Sequence, residues 1–192
     1  MTEKEYKKQI LESLYAQFID NPKCPLASLG RKQEVFGDGN ANADLVFVGE
    51  APGAQEDAQG KPFVGRAGKL LNRILDALEV QRSDVFITNV VKCRPPENRK
   101  PTPQEMKLCC PNLLEQQIKI IKPKVICTLG ASALEGLLDL QQVKITKQRG
   151  QIHQYKGIPV LPTLHPAYVL RNPKALKDLT QDIQTAISYT KK

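Results

Sequence analysis

Apolar residues at Ile10, Leu11, Leu14, Tyr15 and Phe18 recur at three- and four-residue intervals. This predicts an amphipathic helix over residues 4–18 that ends before Asn21-Pro22. A loop rich in turn formers follows, through Gly37-Asp38-Gly39-Asn40. The short, β-branched runs Asp44-Leu45-Val46-Phe47-Val48, Val85-Phe86-Ile87 and Val125-Ile126-Cys127 then suit strands buried on both faces. Each leads into a helical pattern: Leu70 to Leu78, Met106 to Ile118, and Ala131 to Leu138. Residues 150–155 and 158–164, separated by Lys156-Gly157, predict a hairpin whose second strand joins the sheet and delivers Leu164-His165-Pro166 at its C-terminal end. Leu176, Leu179, Ile183 and Ile187 form the apolar stripe of a closing helix, with Pro173 in its first turn.

Strands alternating with helices imply right-handed crossovers and an α/β fold. We expect three α/β/α layers around a central four-stranded, mainly parallel sheet, with ligands bound beyond the strand C-termini. The 192 residues are 41% hydrophobic and 25% charged, which fits one domain over 1–192 whose core needs no disulfide staples. No internal repeat, low-complexity tract or linker interrupts it.

Charge adds a partner class. Twenty-eight Lys and Arg against twenty Asp and Glu leave +8, which favours a polyanion such as nucleic acid or an anionic membrane surface. The polar opening MTEKEYKKQILESLYAQF has no uninterrupted apolar core, and no later stretch approaches the roughly 18 apolar residues of a membrane span. A cytoplasmic location is therefore expected. Five cysteines without a secretion signal, Cys24, Cys93, Cys109, Cys110 and Cys127, point to buried thiols or metal ligands rather than disulfides.

The conspicuous residues gather at strand ends. After the first strand comes Gly49-Glu50-Ala51-Pro52-Gly53, then Glu56-Asp57, Gly60 and Pro62-Phe63-Val64-Gly65-Arg66-Ala67-Gly68, a glycine-rich loop that feeds a helix. It matches neither the dinucleotide fingerprint nor a Walker loop, and its acidic side chains would repel a pyrophosphate. The second strand ends in Thr88-Asn89, and His165 follows the last one. A strand-end Asn alone is a turn former, and a histidine alone is more often structural. Parallel-sheet geometry brings Glu50, Asn89 and His165 around one pocket.

The segments GEAPGAQEDAQGKPFVGRAGKLL, ITNVVKCRPPENRKPTP and HPAYVLRNP, in this order and over about residues 20–175, closely resemble the family-four uracil-DNA glycosylases. The resemblance implies excision of uracil from DNA. A flipped uracil would stack on Phe63, among Gly49, Ala51 and the rest of the loop. The Asn89 amide would accept from N3–H and donate to O4, a pattern cytosine cannot satisfy. His165 would donate to O2 as the glycosidic bond breaks. The positions that in the best-known uracil glycosylases carry a water-orienting Asp and a thymine-blocking Tyr look like Ala51 and Gly53 here. Glu56 is assigned to walling off C5, and Glu50 to positioning the loop or the water. Tyr168, Leu170 and Arg171 resemble the loop that wedges into the duplex, the alternative being a helix entry with Leu170 in the core. Arg94 is a further expected DNA contact.

The resemblance also implies a 4Fe-4S cluster, which the family holds with four cysteines. Cys24, Cys93 and Cys109 match three of them, while the first falls on Asn21. The fourth ligand stays open, with Cys110 a candidate, and Cys127 is expected to be a small buried hydrophobe. Uracil-containing DNA is the expected partner, and a monomer with no membrane association is the expected state. The competing reading is a non-catalytic nucleic-acid-binding module on the same fold, favoured by the missing cysteine and opposed by the presence of both Asn89 and His165.

Overall fold

In the computed structural model, residues 1–20, 24–109 and 113–191 are described. The chain opens with α1 (Glu3–Asp20) and a 3-10 turn over Pro25–Ser28. Next come β1 (Asp38–Gly39), β2 (Leu45–Gly49), α2 (Ala54–Gln59), α3 (Arg66–Ala77) and β3 (Phe86–Asn89). The middle of the chain carries α4 (Pro103–Cys109), α5 (Glu115–Ile121), β4 (Val125–Leu129), α6 (Ala131–Leu138) and α7 (Ile145–Gln148). The last part is β5 (His153–Tyr155), β6 (Ile158–Thr163), α8 (Pro166–Arg171) and α9 (Leu176–Thr190).

The sheet has six strands in the order β1-β3-β2-β4-β6-β5, not the four expected. The four expected strands are its parallel centre, β3-β2-β4-β6. The two additions are antiparallel edges. One is β1, inside the segment expected to be a loop. At Gly39, φ is +127° and a Cβ would lie 2.0 Å from the Val85 carbonyl oxygen, so only glycine lets this backbone approach β3. The other edge, β5, is the first strand of the expected hairpin. Its turn takes positive φ at both Lys156 (50°) and Gly157 (85°), the conformation that matches strand twist in a two-residue connection.

Successive strand residues point to opposite faces, and each face buries its own cluster. Val46, Val48, Phe86, Ile126 and Val160 pack with Leu11, Phe18, Met106, Ile118 and Leu134, so α1, α4, α5 and α6 cover one side. Leu45, Phe47, Ile87, Cys127 and Leu161 pack with Leu71, Leu75, Val169, Leu179 and Ile183, which places α3, α8 and α9 on the other. The three layers are thereby formed. In α9 the buried stripe is Leu179, Ile183 and Ala186, whereas Leu176 at the helix start is 41% exposed. Pro173 begins a separate 3-10 turn just before that helix.

The path that sets the site is the reversal after β3. The chain steps from β2 to β3 on one side, then crosses back to β4 on the other. In open α/β sheets such a reversal leaves a crevice outside the strand C-termini. Among the described residues no helix is long and apolar enough to cross a membrane.

Candidate active site

A cavity of about 590 Å³ opens at that reversal, lined by Glu50, Ala51, Glu56, Phe63, Asn89 and His165 among others. Its walls are the segments after β2, β3, β4 and β6, so the gathering expected at the strand ends occurs. A second cavity of similar volume lies between Pro103, Met106, Leu137 and Tyr155, away from these residues.

Asn89 ends β3 in register with Gly49 of β2. It is 1% exposed, and its Oδ1 is buried with no hydrogen-bond partner among the described residues. Gly49 is what lets this side chain and Phe63 close on the strand end. A Cβ there would sit 2.4 Å from Asn89 Oδ1 and 2.6 Å from Phe63 Cε2.

Phe63 is held in a left-handed backbone conformation, φ 51°, which a bulky residue adopts only when its surroundings impose it. Three contacts do so. Arg82 donates to the Pro62 carbonyl at 2.6 Å and to that of Phe63 at 3.4 Å. Glu56 Oε1 accepts from the Val64 and Gly65 amides at 3.0 and 2.8 Å. At Gly68, in the first turn of α3, a Cβ would lie 1.8 Å from the Phe63 carbonyl oxygen. Arg82 is far along the chain from the loop it anchors, and no local signal marked it.

His165 faces Phe63, ring centroids 5.8 Å apart and planes tilted by 34°. It is the N-cap of α8, and its Nδ1 accepts from the Ala167 amide at 3.1 Å. That bond leaves the proton on Nε2. Burial, with help from nearby Arg171 and against Glu56, lowers its pKa to about 4, so the ring is neutral at pH 7. The end of β6 is anchored two residues earlier, where Thr163 donates to Asp182 at 2.7 Å and Arg149 forks onto the same carboxylate at 2.9 and 2.8 Å.

Tyr168, Leu170 and Arg171 lie in α8 rather than in a loop, because the His165 cap and Pro166 at the first position start a helix at once. Val169 is buried, whereas Tyr168 and Leu170 are 39% and 38% exposed, so Leu170 is not a core residue. Tyr168 and Arg171 reach the cavity rim. Arg94 is turned to Asn98, 2.8 Å from its Oδ1, and to Asp57. Here the rim is formed by Pro95, Asn98 and Arg99. Leu129, Gly130, Ala131 and Ser132 also line the cavity. They end or follow β4, and the rule that pockets form beyond strand ends would have marked them.

Cys24, Cys93 and Cys109 are free, buried and brought together at the α1–α5 side of the sheet. The Cys109 and Cys93 thiols hydrogen-bond to Cys24 and lower its pKa to about 3, while those two are raised. Among the described residues no set of three His, Cys, Asp or Glu side chains is already disposed as metal ligands. Even so, three converging sulfurs are a soft donor set of the kind iron takes. Asn21 and Cys110 lie outside the described residues. Cys127 is wholly enclosed in the opposite face, where burial pushes its thiol up.

Comparison with known proteins gives this geometry a family. Residues 36–187 match the model of the uracil DNA glycosylase superfamily. The chain is 46% identical over 189 residues to the type-4 uracil-DNA glycosylase of Thermotoga maritima, covering 97% of each. With that of Saccharolobus solfataricus it shares 47% over 171 residues, 84% of this chain and 78% of the relative. A type-5 uracil-DNA glycosylase of Pyrobaculum aerophilum is 30% identical over 145 residues, 67% of this chain and 63% of the relative. With the glycine-rich loop, the strand-end Asn and the capping His in one cavity, the chain belongs to the uracil-DNA glycosylase superfamily, in its type-4 branch.

Proposed function

We propose that this cavity binds uracil flipped out of DNA and that the protein hydrolyses its N-glycosidic bond, leaving an abasic site for repair. The observation that carries the reading is the buried, unpartnered Oδ1 of Asn89. An acceptor left unsatisfied in a folded protein costs about 1–3 kcal/mol, and a ligand with a matching donor removes that cost. Uracil supplies N3–H for Oδ1 and O4 for the amide nitrogen, whereas cytosine offers an unprotonated N3 and an amino group. Stacking on Phe63 offsets part of the few kcal/mol that flipping costs.

In the reaction a water oxygen bonds to C1′ as the C1′–N1 bond breaks, the bond pair leaves on the base, and the proton shed by the water passes through solvent to the released uracil. Negative charge grows on the base oxygens, and His165 donates its Nε2 proton as a hydrogen bond to O2. The ring stays neutral, so its donor strength is aimed at the charge that develops. Glu56, pinned by the Val64 and Gly65 amides, walls off C5 against a methyl group. Gly49 and Ala51 form the floor, and Glu50 positions the water or the loop that holds it. Tyr168, Leu170 and Arg171, with Arg94, meet the DNA outside the pocket.

Cys24, Cys93 and Cys109 would hold a 4Fe-4S cluster, with Cys110 a candidate fourth ligand. When bound, the cluster supplies a structural tie between the N-terminal segment and residues 93–109 rather than chemistry on the base.

The test is an oligonucleotide with a single uracil, incubated without added metal or nucleotide and then treated with alkali. Strand scission at the uracil is expected, with thymine-containing controls intact. Scission at thymine at a comparable rate would reject the pocket as assigned.

A further inference from the structure

Lys92 stands between Asn89 and the cysteine triad, wholly buried at 0% exposure. Its Nζ turns back under the end of β3 and donates to Thr88 Oγ1 at 2.5 Å, the Asn89 main-chain oxygen at 2.7 Å and Gln117 Oε1 at 2.7 Å. An ammonium group has three N–H donors and no acceptor, and three oxygens meet it here. These acceptors are themselves tied down. Gln117 of α5 donates Nε2 to the Phe36 carbonyl at 2.8 Å, and Thr88 Oγ1 lies 2.9 Å from the same oxygen. The Lys92 main chain is held as well, its carbonyl by the Val35 amide at 2.8 Å and its N–H by the Cys109 sulfur.

The Asn89–Val90 peptide is consequently gripped at both ends. Lys92 holds its oxygen, and its N–H donates to the Gly49 carbonyl at 2.9 Å. An ammonium is costly to bury, and packing alone would be served as well by an apolar side chain of similar volume. Lys92 also takes the main-chain oxygen of Asn89 and leaves the side-chain oxygen of that residue unpartnered. What the amine adds beyond packing is three donors aimed at three oxygens, one of them the Asn89 carbonyl, and with them positive charge behind the base pocket.

Resting on the uracil reading above, we infer that Lys92 is a positioning residue for excision. It clamps the Asn89 peptide so that the amide presents Oδ1 to the base. Its Nζ, met by three acceptor oxygens as an ammonium would be, also sets positive charge behind Asn89. It touches neither base nor sugar, and it acts through the Asn89 peptide it holds and through its charge.

The leaving group tests this. Fluorine at C5 makes the base anion intrinsically more stable, so 5-fluorouracil depends less on stabilisation by the protein. Single-turnover excision of uracil and 5-fluorouracil from the same oligonucleotide is compared for wild type, Lys92→Met and Gln117→Glu. The second variant keeps the lysine and sets a carboxylate against Nζ to offset its charge, while giving up the Nε2 bond to the Phe36 carbonyl. The expected loss on uracil is about 10–100-fold, less than the 10²–10³ of a donor in direct contact. A clearly smaller loss is expected on 5-fluorouracil, so the ratio between the two substrates widens in both variants. Equal losses on both substrates in a variant whose circular dichroism is native would reduce Lys92 to a structural residue and overturn the inference. If Lys92→Met does not fold, Gln117→Glu decides alone. Wild-type protein inactive on both bases would count against the uracil reading instead.

Discussion

His165 shows how one backbone amide can set the chemistry of a side chain. The Ala167 N–H occupies Nδ1, and burial lowers the ring's pKa to about 4, so the neutral Nε2–H form persists well into acid. Protonation would place a second N–H against the Ala167 amide, which removes the cap and sets two donors face to face. Unfolded, the ring binds its proton near pH 6.5. Between that pH and about 4 the unfolded state therefore binds more protons than the folded state, and stability falls as the pH falls. Above pH 6.5 this group adds no pH dependence. We predict a single-turnover excision rate that is level from about pH 8 down to about pH 5 and drops only towards pH 4, measured with stability followed in parallel. An acid limb centred near 6.5 would show that His165 is not held neutral in this way.

At the scale of elements, the segment from β3 to α4 serves two sites with one stretch of chain. Asn89 faces the pocket, while Cys93 and Cys109 meet Cys24 from the N-terminal segment. Ligation of these thiolates would tie the 3-10 turn at Pro25–Ser28 to that stretch, and metal binding of this kind contributes directly to folding free energy. Protein purified without oxygen is expected to be brown, with broad visible absorption and bound iron. Cys109→Ser is expected to bleach it and to lower the melting temperature before excision is lost, since the triad lies outside the pocket. Colourless wild-type protein with negligible iron and the same stability as Cys109→Ser would show that the three sulfurs are only packed thiols.

For the molecule as a whole, +8 net charge is the feature that acts beyond contact distance. Exposed cations attract the phosphate backbone whatever the sequence and release its counterions on binding. Affinity for uracil-free duplex DNA is expected to fall linearly on a log-log plot against salt, with a slope of about −0.9 for each phosphate neutralised. Fluorescence anisotropy between low and physiological salt would measure it, and a flat response would contradict the polyanion reading of the charge.

The alternation of short apolar runs with helical periodicity determined the α/β class and the parallel centre, because burial on both faces demands such runs. Strand-end position marked Glu50, Asn89 and His165, where topology alone brings residues together, and the family resemblance added Phe63. Of the two edge strands, β5 was the first arm of the expected hairpin, and only β1 escaped that reading. β1 is two residues long and depends on a backbone approach at Gly39 that has no periodic signature. The family resemblance placed Tyr168 and Leu170 in a loop, where the His165 cap makes a helix. Tertiary structure alone decided the side-chain partnerships across long stretches of chain: Arg82 on the Phe63 loop, Asp182 under Thr163, and Lys92 and Gln117 behind Asn89. Each joins residues from different elements by directional bonds. A linear pattern records which face a residue occupies, but the polar atom it meets there depends on the packing of the layers.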